Sequence, residues 1–299
     1  KRSVIHTFIY RTCTTWLPIF SSIVVMSLLS SLIYRLGYYE ILFGTLPYYG
    51  VVKTIVEFLA NGSIYSWWLG ATWFVLVLYA VVILQRMIGQ ICNSNASVAN
   101  LILSFILFIY GHIMAQKGLS QWNIDLIFIA QFYYAIGLYA STFFSQILKV
   151  ANAKKKLFMC ILIGFVTFFV MWGNTQKFRL TMDFPSRNFN GTILDMLLVF
   201  NGTIFVFAIS QLLMISTKKI NNLLQSLGRN TLPIVLFHFV GFKVATGILV
   251  ILDKISISEL SNIVPSPEVG NKYWWFYTIT SISFSLFIWK ILNYFKSMR

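Results

Sequence analysis

The chain has 299 residues, of which 58% are hydrophobic and only 10% charged, and its mean hydropathy is +0.77. A water-soluble domain carries about 25% charged residues, so this composition excludes a soluble globule, which would lack the polar surface to cover itself. The net charge of +15 would point a soluble chain toward nucleic acid; in a chain this apolar, basic residues anchor loops beside anionic lipid, and no nucleic-acid partner is expected.

Apolar runs predict membrane spans over residues 14–36, 67–85, 98–116, 124–147, 157–173, 192–215, 231–252 and 273–295. At 1.5 Å per helical residue each crosses roughly 30 Å of hydrocarbon. The runs are continuous rather than alternating, which selects helices over barrel strands. The expected fold class is therefore all-α: a polytopic integral membrane helix bundle of about eight transmembrane helices, in a single domain over 1–299. The connection 37–66 is semi-apolar and contains Gly44, Pro47, Gly50 and Gly62. It is expected to be a re-entrant or interfacial segment. Trp16, Trp67, Trp68, Trp122, Trp274 and Trp275 lie near the predicted boundaries, where aromatic belts form.

Charge sets the expected orientation. With the N-terminus inside, the inner segments hold most of the 23 Lys and Arg residues, among them Arg11, Arg86, Lys154, Lys155, Lys156, Lys218, Lys219 and Arg229. All 8 acids, from Glu40 to Glu268, fall on the other side. The excess of bases predicts a multi-pass protein of the cell membrane with both ends of this chain in the cytoplasm. Cys13, Cys92 and Cys160 lie at or near that side and match no zinc or redox spacing. They are expected to be free thiols, and no metal site is expected.

Few residues in the spans carry chemistry. His238 and Lys243 sit near the middle of the seventh predicted span, five residues apart and so on different faces. An ionisable group at that depth is costly and faces a cavity or a partner. For the pair, a functional site stands against a His bonded to a neighbouring helix and a Lys in a wet crevice. His112 lies near the outer end of the third span; Asp125 opens the fourth and Asp195 the sixth. The loop 174–191 mixes Lys177, Arg179, Asp183 and Arg187 with Phe178, Phe184 and Phe189. That mixture is open to two readings, a solvated surface or a rim where aromatic faces stack on sugar rings and charged groups bond hydroxyls. The chain contains no phosphate-binding Walker loop, dinucleotide fingerprint, HExxH or nucleophile elbow. It shows no internal repeat of the transporter kind.

The segment Ser226–Phe239, SLGRNTLPIVLFHF, resembles a signature of the membrane acyltransferase-3 family, in which such a loop leads into a late transmembrane helix. Gly228, Asn230, Leu232, Pro233, Ile234 and His238 match it; Thr231 stands where Ser is usual and Val235 where Tyr is usual. Thr72-Trp73-Phe74 resembles the opening of a middle helix of that family. Arg11 followed by Trp16-Leu17-Pro18 resembles the basic start of its third helix, although the family's Arg-x-x-Arg is not intact, since Thr14 stands where the second Arg would be. The three segments occur in the family's order along essentially the whole chain.

The resemblance implies a fold of about ten helices in full, here without the first two. It implies an enzyme that O-acylates extracytoplasmic or lipid-linked glycans, as capsular-polysaccharide O-acetyltransferases do, with acetyl-CoA as cytosolic donor and no bound cofactor. The primary base, a His ending the family's first helix, is then expected upstream of Lys1; His6 stands in the wrong context to replace it. His238 is expected to line the acyl-transfer tunnel and orient the reacting groups. Arg11, Arg86 and Arg229 are candidates to hold the phosphates of the donor. His112, Arg179, Asp183 and Arg187 are candidates to meet the acceptor. Competing readings are a glycan polymerase or flippase and a small-molecule transporter.

Overall fold

The computed structural model describes residues 3–62, 67–93, 97–150, 153–173, 183–184, 186–189, 192–214 and 218–297, with a minority of side chains inside these ranges left out. Arg179, Lys177, Phe178 and the side chain of Cys160 lie outside the described residues. The helices are α1 (Val4–Arg35), α2 (Tyr39–Phe43), α3 (Val51–Asn61), α4 (Trp73–Ile91), α5 (Val98–Gln116), α6 (Ile124–Val150), α7 (Ala153–Gly173), α8 (Thr192–Met214), α9 (Lys218–Arg229), α10 (Thr231–Ile251) and α11 (Pro267–Ser297). Six segments among the described residues are long and apolar enough to cross a membrane: Val4–Arg35, Trp68–Ile91, Val98–Gln116, Gln121–Ser141, Thr231–Ile251 and Pro267–Tyr294. Helices α7 and α8 stand where the fifth and sixth spans are predicted and contribute the apolar stretches Ile161–Val170 and Ile193–Phe207. The protein is an all-α, multi-pass membrane helix bundle, as its composition predicts.

The chain divides into two compact units, each built from separate stretches: Ile5–Tyr79 with Gly228–Arg299, and Lys1–Val4 with Ala80–Leu227. In the first, α1 begins ten residues before the predicted span and carries one wide turn, a π-helical stretch at Thr12–Trp16. Pro18 lies two residues beyond it. It cannot donate to the Thr14 carbonyl and its ring crowds that carbonyl, so the turn before it loosens.

The connection after α1 folds back along it rather than lying across its end. Tyr48 stacks on Tyr34 at 4.2 Å, near the end of α1, while Phe58 of α3 packs against Trp16 and Phe20 near its middle, both at 6.1 Å. Phe58 is fully buried, α3 stops at Gly62 in the left-handed conformation, and Trp68 Nε1 donates to Ser30 Oγ at 3.0 Å.

Helices α10 and α11 are the tightest pair in this unit. Gly241 brings the α10 backbone onto Ser281 of α11, and Ser281 and Ser285 are both buried on that seam. Small residues allow such approach where lipid offers no hydrophobic drive to pack. The boundary between α9 and α10 lies at Asn230, three residues before Pro233, whose missing N–H ends the earlier ladder but is tolerated in the first turn of the next helix.

In the other unit α5 and α6 form an antiparallel pair joined by a short turn. Ser97 caps α5 by accepting from Asn100 N at 3.2 Å. Gly111 lets the α5 backbone approach Asp125 closely enough that a Cβ would lie 2.7 Å from the Asp125 carbonyl. Between these helices and α4 runs a buried polar chain: Gln131 Nε2 donates to Gln85 Oε1 at 2.5 Å and reaches Ser104 Oγ at 3.5 Å, and Ser104 Oγ donates to Asn100 Oδ1 at 3.3 Å. Side-chain amides bonded across helices are a usual way to tie a bundle in lipid. Helices α7 and α8 pair through Phe168 and Phe205 at 6.0 Å.

Candidate functional site

A cavity of about 310 Å³ opens in the first unit between α1, α4 and the start of α10. Its lining includes Tyr10, Arg11, Thr14 and Thr15 of α1, Phe74 and Tyr79 of α4, and Thr231, Leu232 and Val235 of α10. That volume is at the lower end for small-molecule sites. The wide turn of α1 turns Thr14 and Thr15 toward it together with Arg11; such turns recur at functional sites.

Most of the hydroxyls at the rim are already engaged. Thr12 Oγ1 and Tyr79 Oη lie 2.8 Å apart, Thr14 Oγ1 donates to the Tyr10 carbonyl, and Thr231 Oγ1 donates to the Gly228 carbonyl, each at 2.8 Å. Arg11 differs. Its half-buried guanidinium has no hydrogen bond or ion pair among the described residues. Five fixed donors and a permanent charge at the mouth of a cavity suit an anion, held in a fork by a phosphate or carboxylate.

His238 sits one turn beyond Val235 on α10, beside the cavity wall and not in it. Its Nδ1 lies 2.9 Å from the Val235 carbonyl and 3.2 Å from that of Ile234. Carbonyl oxygens only accept, so Nδ1 carries the proton in the neutral ring and Nε2 presents a lone pair. The ring rests against Phe239 at 4.2 Å and Phe242 at 5.6 Å. All these contacts are within α10, so the expected alternative of a tie to a neighbouring helix does not describe this His. Lys243 is not in a wet crevice either. It is buried, and Nζ donates to the carbonyls of Leu42, Leu260 and Asn262 at 2.5, 2.5 and 2.7 Å, using all three of its protons. It braces α2 and the connection between α10 and α11.

The remaining candidates divide. Arg229 is exposed at the end of α9, two residues before the cavity-lining Thr231. Arg86 is half-buried on the part of α4 that belongs to the second unit. In that unit His112 is 4% exposed, held edge-on between Phe108 at 4.7 Å and Phe189 at 4.9 Å. Its Nε2 has no hydrogen-bond partner among the described residues. The fully buried Asp195 acts electrostatically on both His112 and Tyr133. Arg187 is already committed: Nε lies 2.6 Å from Asp125 Oδ2 and Nη2 3.0 Å from Asn123 Oδ1. It holds a tight turn whose ends, Asp183 and Asn188, exchange backbone bonds at 3.0 Å. Asp183 is exposed beside it, and Phe189 packs on His112. His112, Asp183 and Arg187 thus share one unit and one neighbourhood, while Arg11 and His238 share the other.

Sequence reasoning missed Thr14, Thr15 and Tyr79 as cavity residues and Tyr133 as a neighbour of Asp195. The only local signal was the Thr-rich run after Arg11, with Pro18 beyond it. No protein-family model, no curated protein and no solved structure matches this chain.

Proposed function

We propose that the protein is a membrane O-acyltransferase that moves an acetyl group from cytosolic acetyl-CoA to a hydroxyl of an extracytoplasmic or lipid-linked glycan. One observation carries this reading. The three segments that resemble the acyltransferase-3 family are far apart in sequence, yet Arg11, Phe74, Thr231, Leu232 and Val235 meet around one cavity. A shared site is what an enzyme ancestry would require of them, and an uncommitted Arg at that site supports an anionic ligand.

In this reading Arg11, with Arg229 at the end of the preceding helix, binds phosphates of the donor from the cytoplasmic side, and both ends of the chain lie on that side. The cavity takes the acyl-thioester end. His238, with Nε2 as acceptor, orients the acceptor hydroxyl or the catalytic base. The sugar oxygen attacks the thioester carbonyl, its proton leaves to the base, and the carbon–sulfur bond breaks to release coenzyme A as the thiol. Donors around the carbonyl stabilise the developing oxyanion.

The test is glycan O-acetylation in cells carrying the gene, compared with a deletion. Arg11→Gln should lower transfer by raising the donor requirement. His238→Gln, at equal expression and thermal stability, should lower it by about a hundredfold or more. An unchanged level of glycan acetylation on deletion sinks the reading and returns the polymerase, flippase and transporter readings.

A further inference from the structure

Helix α9 lies between the spans predicted at 192–215 and 231–252. Its apolar residues Ile220, Leu223, Leu224 and Leu227 fall at i, i+3, i+4 and i+7, one stripe of a helix. Three of them are left open, with Ile220 44%, Leu223 60% and Leu224 40% exposed. Asn222, Gln225, Ser226 and Arg229 occupy the other faces, and Gln225 Nε2 donates to Asn221 Oδ1 at 3.2 Å along the polar side.

We propose that α9 lies in the headgroup layer of the bilayer and docks its Ile220–Leu227 stripe onto anionic phospholipid. Two further observations choose this occupant. First, α9 is separated from the membrane span α10 by Asn230 alone, so its last turn cannot leave the bilayer surface. Second, no Asp or Glu occurs between Asp195 and Asp253, whereas α9 carries Lys218, Lys219 and Arg229. An apolar stripe with a basic complement and no acid matches a negative leaflet, since interfacial helices bury such a face into the boundary of headgroups and acyl chains.

The experiment places an environment-sensitive fluorophore at Leu223→Cys or, on the opposite face, at Asn222→Cys. The native cysteines are replaced by Ser, and the protein is held one copy per nanodisc, with or without phosphatidylglycerol. The label at 223 should be shielded from aqueous acrylamide and quenched by lipid-borne doxyl groups, and the label at 222 should show the reverse. Leu224→Cys repeats the measurement if the first variant misfolds. In discs with phosphatidylglycerol, Lys218→Gln and Lys219→Gln should each reduce the docked-to-undocked ratio by about fivefold; in discs without it they should change little. Equal acrylamide access at 222 and 223 overturns the proposal. So does a label at 223 shielded from both quenchers, which means protein covers the stripe, or shielding that appears only with two copies per disc, which means self-association.

Discussion

Gly241 of α10 lies directly against the backbone of Ser281 of α11: a Cβ at position 241 would fall 2.5 Å from Ser281 Cα. The obstructing atom is main chain, so a side chain there cannot be accommodated by a rotamer change. Gly241→Ala should force the two helices apart and destabilise the protein by about 1–3 kcal/mol. Gly247, on the same helix, has nothing within 4 Å of its would-be Cβ, so Gly247→Ala serves as control and should have little effect or stabilise slightly. Thermal unfolding in detergent compares the two; equal midpoints contradict the packing.

Lys243→Met removes the ammonium from three carbonyls that have folded around it. The loss of charge relieves a desolvation cost, yet the oxygens of Leu42, Leu260 and Asn262 lose their donor, and each such loss costs about 1–3 kcal/mol. We expect a net destabilisation of at least 2 kcal/mol, roughly, on that scale. Limited proteolysis in the 254–266 connection should accelerate in step. A Lys243→Met protein as stable and as protease-resistant as the parent shows that the brace does not bear on stability.

The Arg187–Asp125 pair yields a double-mutant cycle. Asp125 is fully buried and Arg187 retains 23% of its side-chain exposure. Arg187→Met alone strands a buried carboxylate and should cost about 3–5 kcal/mol. Asp125→Asn with Arg187→Met should recover much of that, because no charge is left without a partner. Additivity of the two single effects means the pair is not coupled.

Glu259 supplies a pH dependence in the connection between α10 and α11. Burial opposes its ionisation, but hydrogen bonds from Ser266 Oγ, Asn262 Nδ2 and Ser266 N outweigh burial and hold its carboxyl below the ordinary value of 4.5. The unfolded chain binds the proton first as pH falls. The stabilisation is therefore present above about 4.5 and is lost as pH drops through the lower folded value. Amide exchange at Ser266 should rise over that interval in the parent and be independent of pH there in Glu259→Gln, once intrinsic exchange rates are divided out.

Orientation has its own test. With both ends cytoplasmic, an impermeant thiol reagent applied to whole cells should leave Cys92 unmodified and label a Ser186→Cys variant. Both positions lie in described, non-helical stretches, and Cys92 is a free thiol. External labelling of Cys92 reverses the topology.

The spans were legible because lipid permits one answer to a run of some twenty apolar residues: a helix that satisfies its own backbone. What escaped has a physical pattern. Lys243 announced a buried charge, but its partners are main-chain oxygens of Leu42, Leu260 and Asn262, and any residue type supplies those. The wide turn at Thr12–Trp16 follows from Pro18, yet most prolines near a helix start cause no such widening. Helix α9 could have been read from the spacing of Ile220, Leu223, Leu224 and Leu227; its low hydrophobicity hid it from a search for spans. The cavity joins residues over two hundred positions apart, and only the resemblance among the segments carrying Arg11, Phe74 and Thr231 hinted that they belong together.

The Lys243 brace also imposes an order on biosynthesis. A charged Lys at the centre of a span makes insertion harder by about 2.5–3.5 kcal/mol. Its ligand at Leu42 lies 201 residues earlier in the chain and has been synthesised long before, while those at Leu260 and Asn262 follow 17 and 19 residues behind. When α10 leaves the ribosome, Lys243 meets one carbonyl already outside, while the other two are still within the exit tunnel. The helix therefore enters the bilayer with one of its three carbonyl partners, and emergence of the next connection completes the coordination. A pause in elongation that holds Leu260 and Asn262 inside the tunnel would prolong that state.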